Sequence, residues 1–450
     1  MTRSSDDTIF ACATASGRAG IAVVRISGRR AGAALTALGV AAGKARTLHR
    51  ALFRHPQSGE LLDDGLAVRF PAPGSYTGED VVELHLHGGR AVLDAIVSVL
   101  GEIPGLRPAD AGEFTRRAFE NGKLDLTEAE AVADLVAAET STQRRQALRQ
   151  LGGELGRLYE GWRDRLVRVL AHSEAEIDFP DEGLPGDLAS AGRAEIRSLC
   201  EAIRRHLADN RRGERVREGL SIAILGPPNA GKSTLLNRLA RREAAITSAI
   251  AGTTRDVIEV HLDLGGYAVT VADTAGLRET RDAIEAEGVR RAEARAVSAD
   301  LKLVILDATR PGEAEGPVGS LIDADTIAIA NKIDLAGSDD AAAWADGLGA
   351  GKAMRLSATS GSGLDALLER LTREIAARFD ASAAPTLTRA RHRAALEECV
   401  SALQRYERAP LPELAAEDLR LAARALGRIT GRVDVEDLLD VIFREFCIGK

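Results

Sequence analysis

The stretch Gly226-Pro-Pro-Asn-Ala-Gly231-Lys232-Ser233 constrains this chain more than any other. It follows the apolar run Ser221 to Leu225 and precedes Thr234-Leu-Leu-Asn-Arg-Leu239, so strand, glycine-containing loop and helix come in the order a phosphate cradle needs. Glycines let successive backbone N–H groups converge on phosphate oxygens, and Asn229, Ala230, Gly231 and Thr234 complete the loop around them. Lys232 is placed to neutralise β- and γ-phosphate charge, and Ser233 to offer its hydroxyl to Mg²⁺. The positive end of the helix adds favourable potential for an anion. A βα alternation over residues 218–379 therefore predicts a nucleotide domain with a mainly parallel sheet.

The base is chosen further along. Asn331-Lys332-Ile333-Asp334 follows the predicted strand Thr326 to Ala330. A carboxylate at Asp334 accepts from the ring N–H and exocyclic amine of guanine, whereas adenine leaves it unpaired; such a site rejects the wrong base by roughly 10⁴ to 10⁵. Ser357, Ala358 and Thr359 form the next motif, whose backbone N–H groups suit the guanine carbonyl. Asp273, Thr274, Ala275 and Gly276 follow the strand Ala268 to Ala272, which puts Asp273 in the magnesium shell and the Gly276 N–H at the γ-phosphate. Gly252, Thr253 and Thr254 begin a switch segment with Thr254 as the second hydroxyl for Mg²⁺. The residue after Gly276 is Leu277, where many GTP hydrolases carry a water-orienting glutamine, so hydrolysis needs another group.

A chain of 450 residues exceeds one core and implies several domains. Residues 1–118 carry short β-branched runs such as Ile21 to Ile26 and Val81 to Leu86, bounded by turn clusters such as Pro71 to Gly78, and read as an α/β domain. Residues 119–217 read as helical. Thr127 and Glu130 have the spacing of a capping box, and Leu151, Leu155, Leu158, Trp162, Leu166 and Val169 recur on one helix face. Ala381 to Pro385 reads as a linker, and residues 380–450 return to helix, with Leu419, Ala422, Ala423 and Leu426 on one face and Gly427 as a stop. The expected architecture is multidomain, α/β and all-α. An N-terminal α/β domain and a helical domain made of two chain segments would frame an inserted P-loop domain resembling that of Ras.

The net charge of -8 argues against bulk electrostatic wrapping of nucleic acid, and an aromatic content of 3% leaves few platforms for stacking bases. Cys12, Cys200, Cys399 and Cys447 lie far apart without metal spacing, as expected for a reducing compartment. No run of 18 apolar residues occurs and the N-terminus has Asp6 and Asp7 in place of a basic leader, so a soluble cytoplasmic protein with no membrane partner is expected.

Several blocks together resemble the tRNA-modification GTPase family called MnmE or TrmE. They are Gly20 to Gly28, Tyr76 to Glu83, Gly112 to Phe119, Asn121 to Leu126, Ala251 to Asp256, and the terminus Phe446-Cys-Ile-Gly-Lys450. The resemblance implies an N-terminal domain that binds a tetrahydrofolate derivative, in its 5-formyl or methylene form, and forms a homodimer. It implies activation by K⁺ held by Asn229, Ser248, Ile250 and Thr253, with Ala249 and Ala251 in the same nucleotide loop. A fixed charge at the transferring phosphate supplies 10³ to 10⁵ in rate. The family's water-orienting carboxylate matches Glu285, with Glu287 close by, and its folate residues match Arg25, Glu83, Lys123 and Lys450. The partner implied is the flavoprotein MnmG, also called GidA, acting with this chain on carbon 5 of the wobble uridine of certain tRNAs. Read without the family, Glu285 is a helix charge and the folate residues are surface charges. His85 and His87 read as structural residues sharing one strand face, and Cys447 as a buried small hydrophobe.

Two other readings stand beside this one. A ribosome-assembly GTPase binding rRNA would carry a second P-loop or an RNA-binding module after the nucleotide domain, and the sequence shows neither. A folate-binding protein whose nucleotide domain only senses GTP would not be stimulated by K⁺.

Overall fold

The structure is a computed structural model describing residues 7–15, 17–178, 187–209, 211–242, 244–246, 259–273, 299–310, 322–336, 353–379, 385–433, 435–444 and 446–449. It divides into two compact units. One comprises residues 1–136, 148–205 and 391–450, the other residues 137–147 and 206–390, so most of the second is inserted into the first along the chain.

The first unit begins with a six-stranded sheet. Its strands are β1 (Thr8–Cys12), β2 (Ala19–Ser27), β3 (His49–Arg54), β4 (Leu61–Phe70), β5 (Val81–Gly88) and β6 (Leu106–Pro108), in the order β3-β4-β5-β2-β1-β6. All pairs are antiparallel except β1 with β6. Period-two alternation decides the faces. Val24, Ile26, Leu84 and Leu86 turn inward onto the helices Ala31–Ala37 and Arg90–Glu102, joining Leu35, Phe53, Ile96 and Leu100 in one core. Arg25, Glu83, His85 and the exposed Leu66 stand on the opposite face.

Helices fill the rest of this unit. Glu154–Asp178 buries Leu155, Tyr159, Trp162, Leu166 and Val169, and packs along Pro412–Thr430, which buries Leu419, Ala422, Leu426 and Ile429. The stripe is thus realised from Leu155 to Val169, with Tyr159 in place of Leu158 as a buried member, but Leu151 does not belong to it: it ends the preceding helix Ser141–Leu151, half-buried. Leu126–Ala137 packs on Glu436–Arg444 through Leu126, Ala129, Leu439, Ile442 and Phe443.

Two local expectations are corrected. The helix start is capped by Asp125 with Glu128, not by Thr127 with Glu130: Glu128 N donates to Asp125 Oδ1 at 2.8 Å and Asp125 N to Glu128 Oε2 at 2.8 Å. Thr127 already lies within the helix and donates to Asp125 Oδ1. Both pairs share the box spacing, and the earlier acid wins because Glu130 is needed inside. Gly427 does not stop its helix either. It lies where a Cβ would meet Val433 Cγ2 at 2.8 Å, and the stop is Gly431 at φ 86.

Glu130 joins distant parts of the chain. Arg391 Nε donates to its Oε1 at 2.6 Å, His392 Nε2 lies 3.0 Å from its Oε2, and Arg391 also donates to the carbonyls of Arg428 and Ile429. Burial opposes the charged carboxylate, but the guanidinium and imidazole outweigh it and hold the pKa well below its ordinary 4.5.

The second unit carries the other sheet: β7 (Leu220–Leu225), β8 (Glu259–Leu264), β9 (Tyr267–Asp273), β10 (Leu301–Asp307), β11 (Thr326–Asn331) and β12 (Met354–Leu356). The order is β12-β11-β10-β7-β9-β8, parallel throughout except for the hairpin β8-β9. Strand β10 is buried at all seven positions, as a central parallel strand covered on both faces must be. The helices Lys232–Ala240 and Leu364–Phe379 contribute Leu235, Leu236, Leu239, Leu367 and Leu371 to its core. One expected helix is interrupted, between Leu207 and Arg212, and of the expected linker, residues 381–384 lie outside the described residues. Among the described residues no helix is long and apolar enough to cross a membrane.

Glu130→Gln is expected to lower stability by about 3–5 kcal/mol at neutral pH, since the half-buried Arg391 and the buried His392 would be left without their carboxylate. Because folding depresses the Glu130 pKa, its contribution is complete above about 4.5 and is lost as pH falls below that value. Urea midpoints at pH 7, pH 4 and lower pH check both points: the gap between wild type and variant should begin to narrow by pH 4 and close only as pH falls toward the depressed pKa of the folded state.

Candidate functional site

In the parallel sheet the chain leaves β7 for β8 and β9 on one side and returns to β10 on the other, so the strand order reverses at the carboxyl end of β7. Open α/β sheets bind ligands in that crevice. Here Leu225 delivers the phosphate loop, Asp273 ends the neighbouring strand, and Asp307, Asn331 and Leu356 end β10, β11 and β12 in register.

The loop is built as its sequence requires. Asn229 has φ 63 and Gly231 has φ 100; a Cβ on Gly231 would meet Asn331 Nδ2 at 2.2 Å, so only glycine fits. Lys232 is buried, and its Nζ donates to the carbonyls of Gly226 and Pro227, both at 2.8 Å, which holds the ammonium across the loop. Ala230 is buried, while Ser233 and Thr234 stand exposed in the first turn of the helix.

Asn331 knits the motifs together. Its Nδ2 donates to Ala230 O at 2.7 Å and its Oδ1 accepts from Ala358 N at 2.9 Å, both bonds buried. The phosphate loop and the Ser357-Ala358 segment are thereby fixed to one side chain. Ser357 is fully buried, and its Oγ accepts from Ser360 N while its carbonyl accepts from Gly361 N, which shapes the loop that carries Thr359. Asp334 is exposed at the mouth of the site, as a group that pairs with a base must be.

One member of this site is not evident from motifs. Asp307, ending β10, accepts from Lys332 Nζ at 2.7 Å and from Thr309. Burial works against its charge, but these hydrogen bonds prevail and keep its carboxyl below the ordinary range. Lys332, at φ 63, is thereby held in place between Asn331 and Asp334. The signal for Asp307 in the sequence is a lone carboxylate closing an apolar strand.

Several sequence-derived residues lie outside the described residues: Ser248, Ala249, Ile250, Ala251, Gly252, Thr253, Thr254, Thr274, Ala275, Gly276, Glu285 and Lys450. Of Asp273 the strand position alone is described.

In the first unit, Arg25 on β2 faces Glu83 on β5 in register, and Arg25 Nε donates to Glu83 Oε1 at 3.0 Å. The Arg25 guanidinium also lies 5.5 Å from the centre of the Tyr76 ring and 5.7 Å from that of Phe114, two contacts that motif spacing does not reveal. Tyr76 is held in turn by Thr115 at 2.8 Å. Lys123 is exposed and donates to Pro73 O at 3.1 Å, at the start of the loop that carries Tyr76. His87 is anchored by Asp63 at 2.8 Å, while His85 lies beside Glu83. Cys447 is exposed, which corrects the expectation of a buried residue: its carbonyl accepts from Gly112 N, and the following Ile448 pairs with Ala111, so backbone rather than side chain anchors this end.

Comparison with known proteins covers both units. The model of the TrmE N-terminus, described as a GTP-binding protein, matches residues 8–123, and that of the MnmE helical domain matches residues 126–447. The tRNA modification GTPase MnmE of Rhodospirillum rubrum is 57% identical over 99% of this chain and 99% of its own. A mitochondrial 5-taurinomethyluridine-[tRNA] synthase subunit of Danio rerio is 48% identical over 99% of this chain and 93% of its own. Among solved structures, the G domain of the T. maritima FeoB iron transporter matches 34% of this chain and 97% of its own, with 20% identity and a TM-score of 0.28. The buried Asn331 that joins the phosphate loop to the base motif, and identity running through both units, lead to one conclusion: the chain belongs to the MnmE family of tRNA modification GTPases.

Proposed function

We propose that this GTPase acts with the flavoprotein MnmG on carbon 5 of the wobble uridine of certain tRNAs, adding an aminomethyl or carboxymethylaminomethyl group. The observation that carries its nucleotide half is the crevice at the carboxyl end of β7, where Lys232 and the left-handed Gly231 are tied through Asn331 to the strand that Asp334 follows. The residues present fit GTP: the Gly231 position admits no side chain, and Ser233 and Thr234 are accessible at the helix start. Ser233 and Thr254 would hold Mg²⁺, a hard cation suited to hydroxyl oxygens. Asn229, Ser248, Ile250 and Thr253 would hold K⁺ against the phosphates. Of this potassium set Asn229 is described, exposed in the loop with φ 63.

Lys232 orients the phosphates and stabilises the charge that develops as the γ-phosphoryl group leaves. Leu277 has no group to orient water, so Glu285 takes that role, reaching the nucleophile when two nucleotide domains of a homodimer approach. Residues 1–118 form the folate-binding and dimerisation domain, 119–217 and 380–450 the two parts of the helical domain, and 218–379 the G domain.

The tetrahydrofolate derivative, when bound, supplies the one-carbon unit. Arg25, Glu83, Lys123 and Lys450 would hold it. Glu83 fits because, among the described residues, its hydrogen bond is to Oε1, from Arg25, which leaves Oε2 to accept from the donor edge of a pterin, while the cations suit the glutamate tail. The cytoplasm, where tRNA and a flavoprotein partner are available, is the expected location.

Single-turnover hydrolysis is expected to run 10²-fold or more faster in K⁺ than in Na⁺; equal, negligible rates in both salts would remove the potassium mechanism. Glu285→Ala should bind GTP normally and fail to hydrolyse it, and normal turnover would sink that assignment. Asp334→Asn loses two charge-assisted hydrogen bonds to guanine, so GTP affinity should fall roughly 10²- to 10⁴-fold. The same variant should gain affinity for xanthosine triphosphate, whose ring presents an acceptor where guanine has its amine.

A further inference from the structure

An unsatisfied imidazole stands beside the Arg25–Glu83 pair on the face of the N-terminal sheet opposite the helices Ala31–Ala37 and Arg90–Glu102. Glu83 and His85 are two apart on β5, so both side chains project from the same face. His85 Nε2 is shielded from solvent and has no hydrogen-bond partner among the described residues. The nearest carboxylate oxygen, Glu83 Oε2, lies 3.6 Å away, beyond hydrogen-bond range. It is the oxygen that Arg25 leaves unused, since Arg25 Nε donates to Oε1. His87, on the same strand, is by contrast satisfied by Asp63 at 2.8 Å.

The surroundings hold this arrangement still. The guanidinium that fixes Glu83 is itself held between the rings of Tyr76 and Phe114. Across the sheet, His85 pairs in register with Leu66 on β4 and Val23 on β2, so its cross-strand neighbours are apolar. A flat heterocycle laid there would meet apolar ground beneath it and two polar atoms at its edge.

We propose that His85 is a further ligand-binding residue, forming with Glu83 a two-point clasp for the edge of a nitrogen heterocycle. Glu83 Oε2 accepts from a ring N–H or amine, and His85 Nε2, carrying the proton, donates to the adjacent carbonyl or ring nitrogen. Two protein atoms too far apart to bond each other match neighbouring donor and acceptor atoms on one ring. The lactam and amine edge of a reduced pterin presents that pair. This inference rests on the reading that folate binds at Arg25 and Glu83, and adds the residue that recognises the acceptor side of its ring.

Calorimetric titration of the full-length protein with 5-formyltetrahydrofolate and with 6-methyltetrahydropterin, which lacks the glutamate tail, tests it. His85→Ala should weaken both probes about tenfold, the loss of one hydrogen bond. His85→Gln, whose amide can still donate, should recover most of that affinity. Lys123→Ala should weaken the folate and leave the pterin unchanged. Wild-type affinity of His85→Ala for both probes, with Glu83→Ala weakened, would overturn the clasp while sparing the folate reading. Equal weakening by His85→Ala and His85→Gln would assign the residue a packing role and also overturn it. Failure of the wild-type protein to bind either probe would remove both readings together.

Discussion

The carboxamide of Asn331 is the interaction on which the nucleotide site depends. It bonds backbone groups 101 and 27 residues away and does so where water cannot compete. Both of its functions are used, one to the phosphate loop and one to the segment after β12, so no aliphatic residue of similar size could substitute. The left-handed Gly231 is a consequence, because the close approach of Asn331 Nδ2 leaves no room for a Cβ. Phosphate recognition and base recognition are therefore mechanically one site, built on the ends of buried parallel strands.

The first unit depends on a different kind of contact. Glu130 accepts from Arg391 and His392, residues more than 260 positions later, and both their partner and their helix carbonyls are buried or nearly so. This ion cluster closes a unit whose sequence is interrupted by residues 206–390. The flanking segments carry their own complementary charges and apolar faces.

Much of this was legible in the sequence, for stated physical reasons. Strands β2, β5, β7, β9 and β11 announce themselves by β-branched runs between turns, and the phosphate loop by residue types that nothing else demands in that order. The helical stripe from Leu155 to Val169 follows from spacing alone. What failed was local competition: two acid pairs shared the capping spacing near residue 127, and only the burial of Glu130 against Arg391 decides between them. Gly427 and Gly431 posed the same problem, since a glycine required by close packing and one required by a left-handed turn look alike in sequence. Asp307 and His85 were missed as site residues because their partners come from register and strand order, which a single sequence does not display.

The account joins a guanine-nucleotide crevice to chemistry on tRNA, and that link is its central claim. Nucleoside analysis of tRNA from a strain lacking this protein, carrying either the wild-type gene or the Lys232→Ala variant, tests it directly. Wobble uridines should lack their carbon-5 group in the deletion, regain it with the wild-type gene, and remain unmodified with the variant. Full modification in the deletion strain, or in the strain carrying Lys232→Ala, would contradict the account.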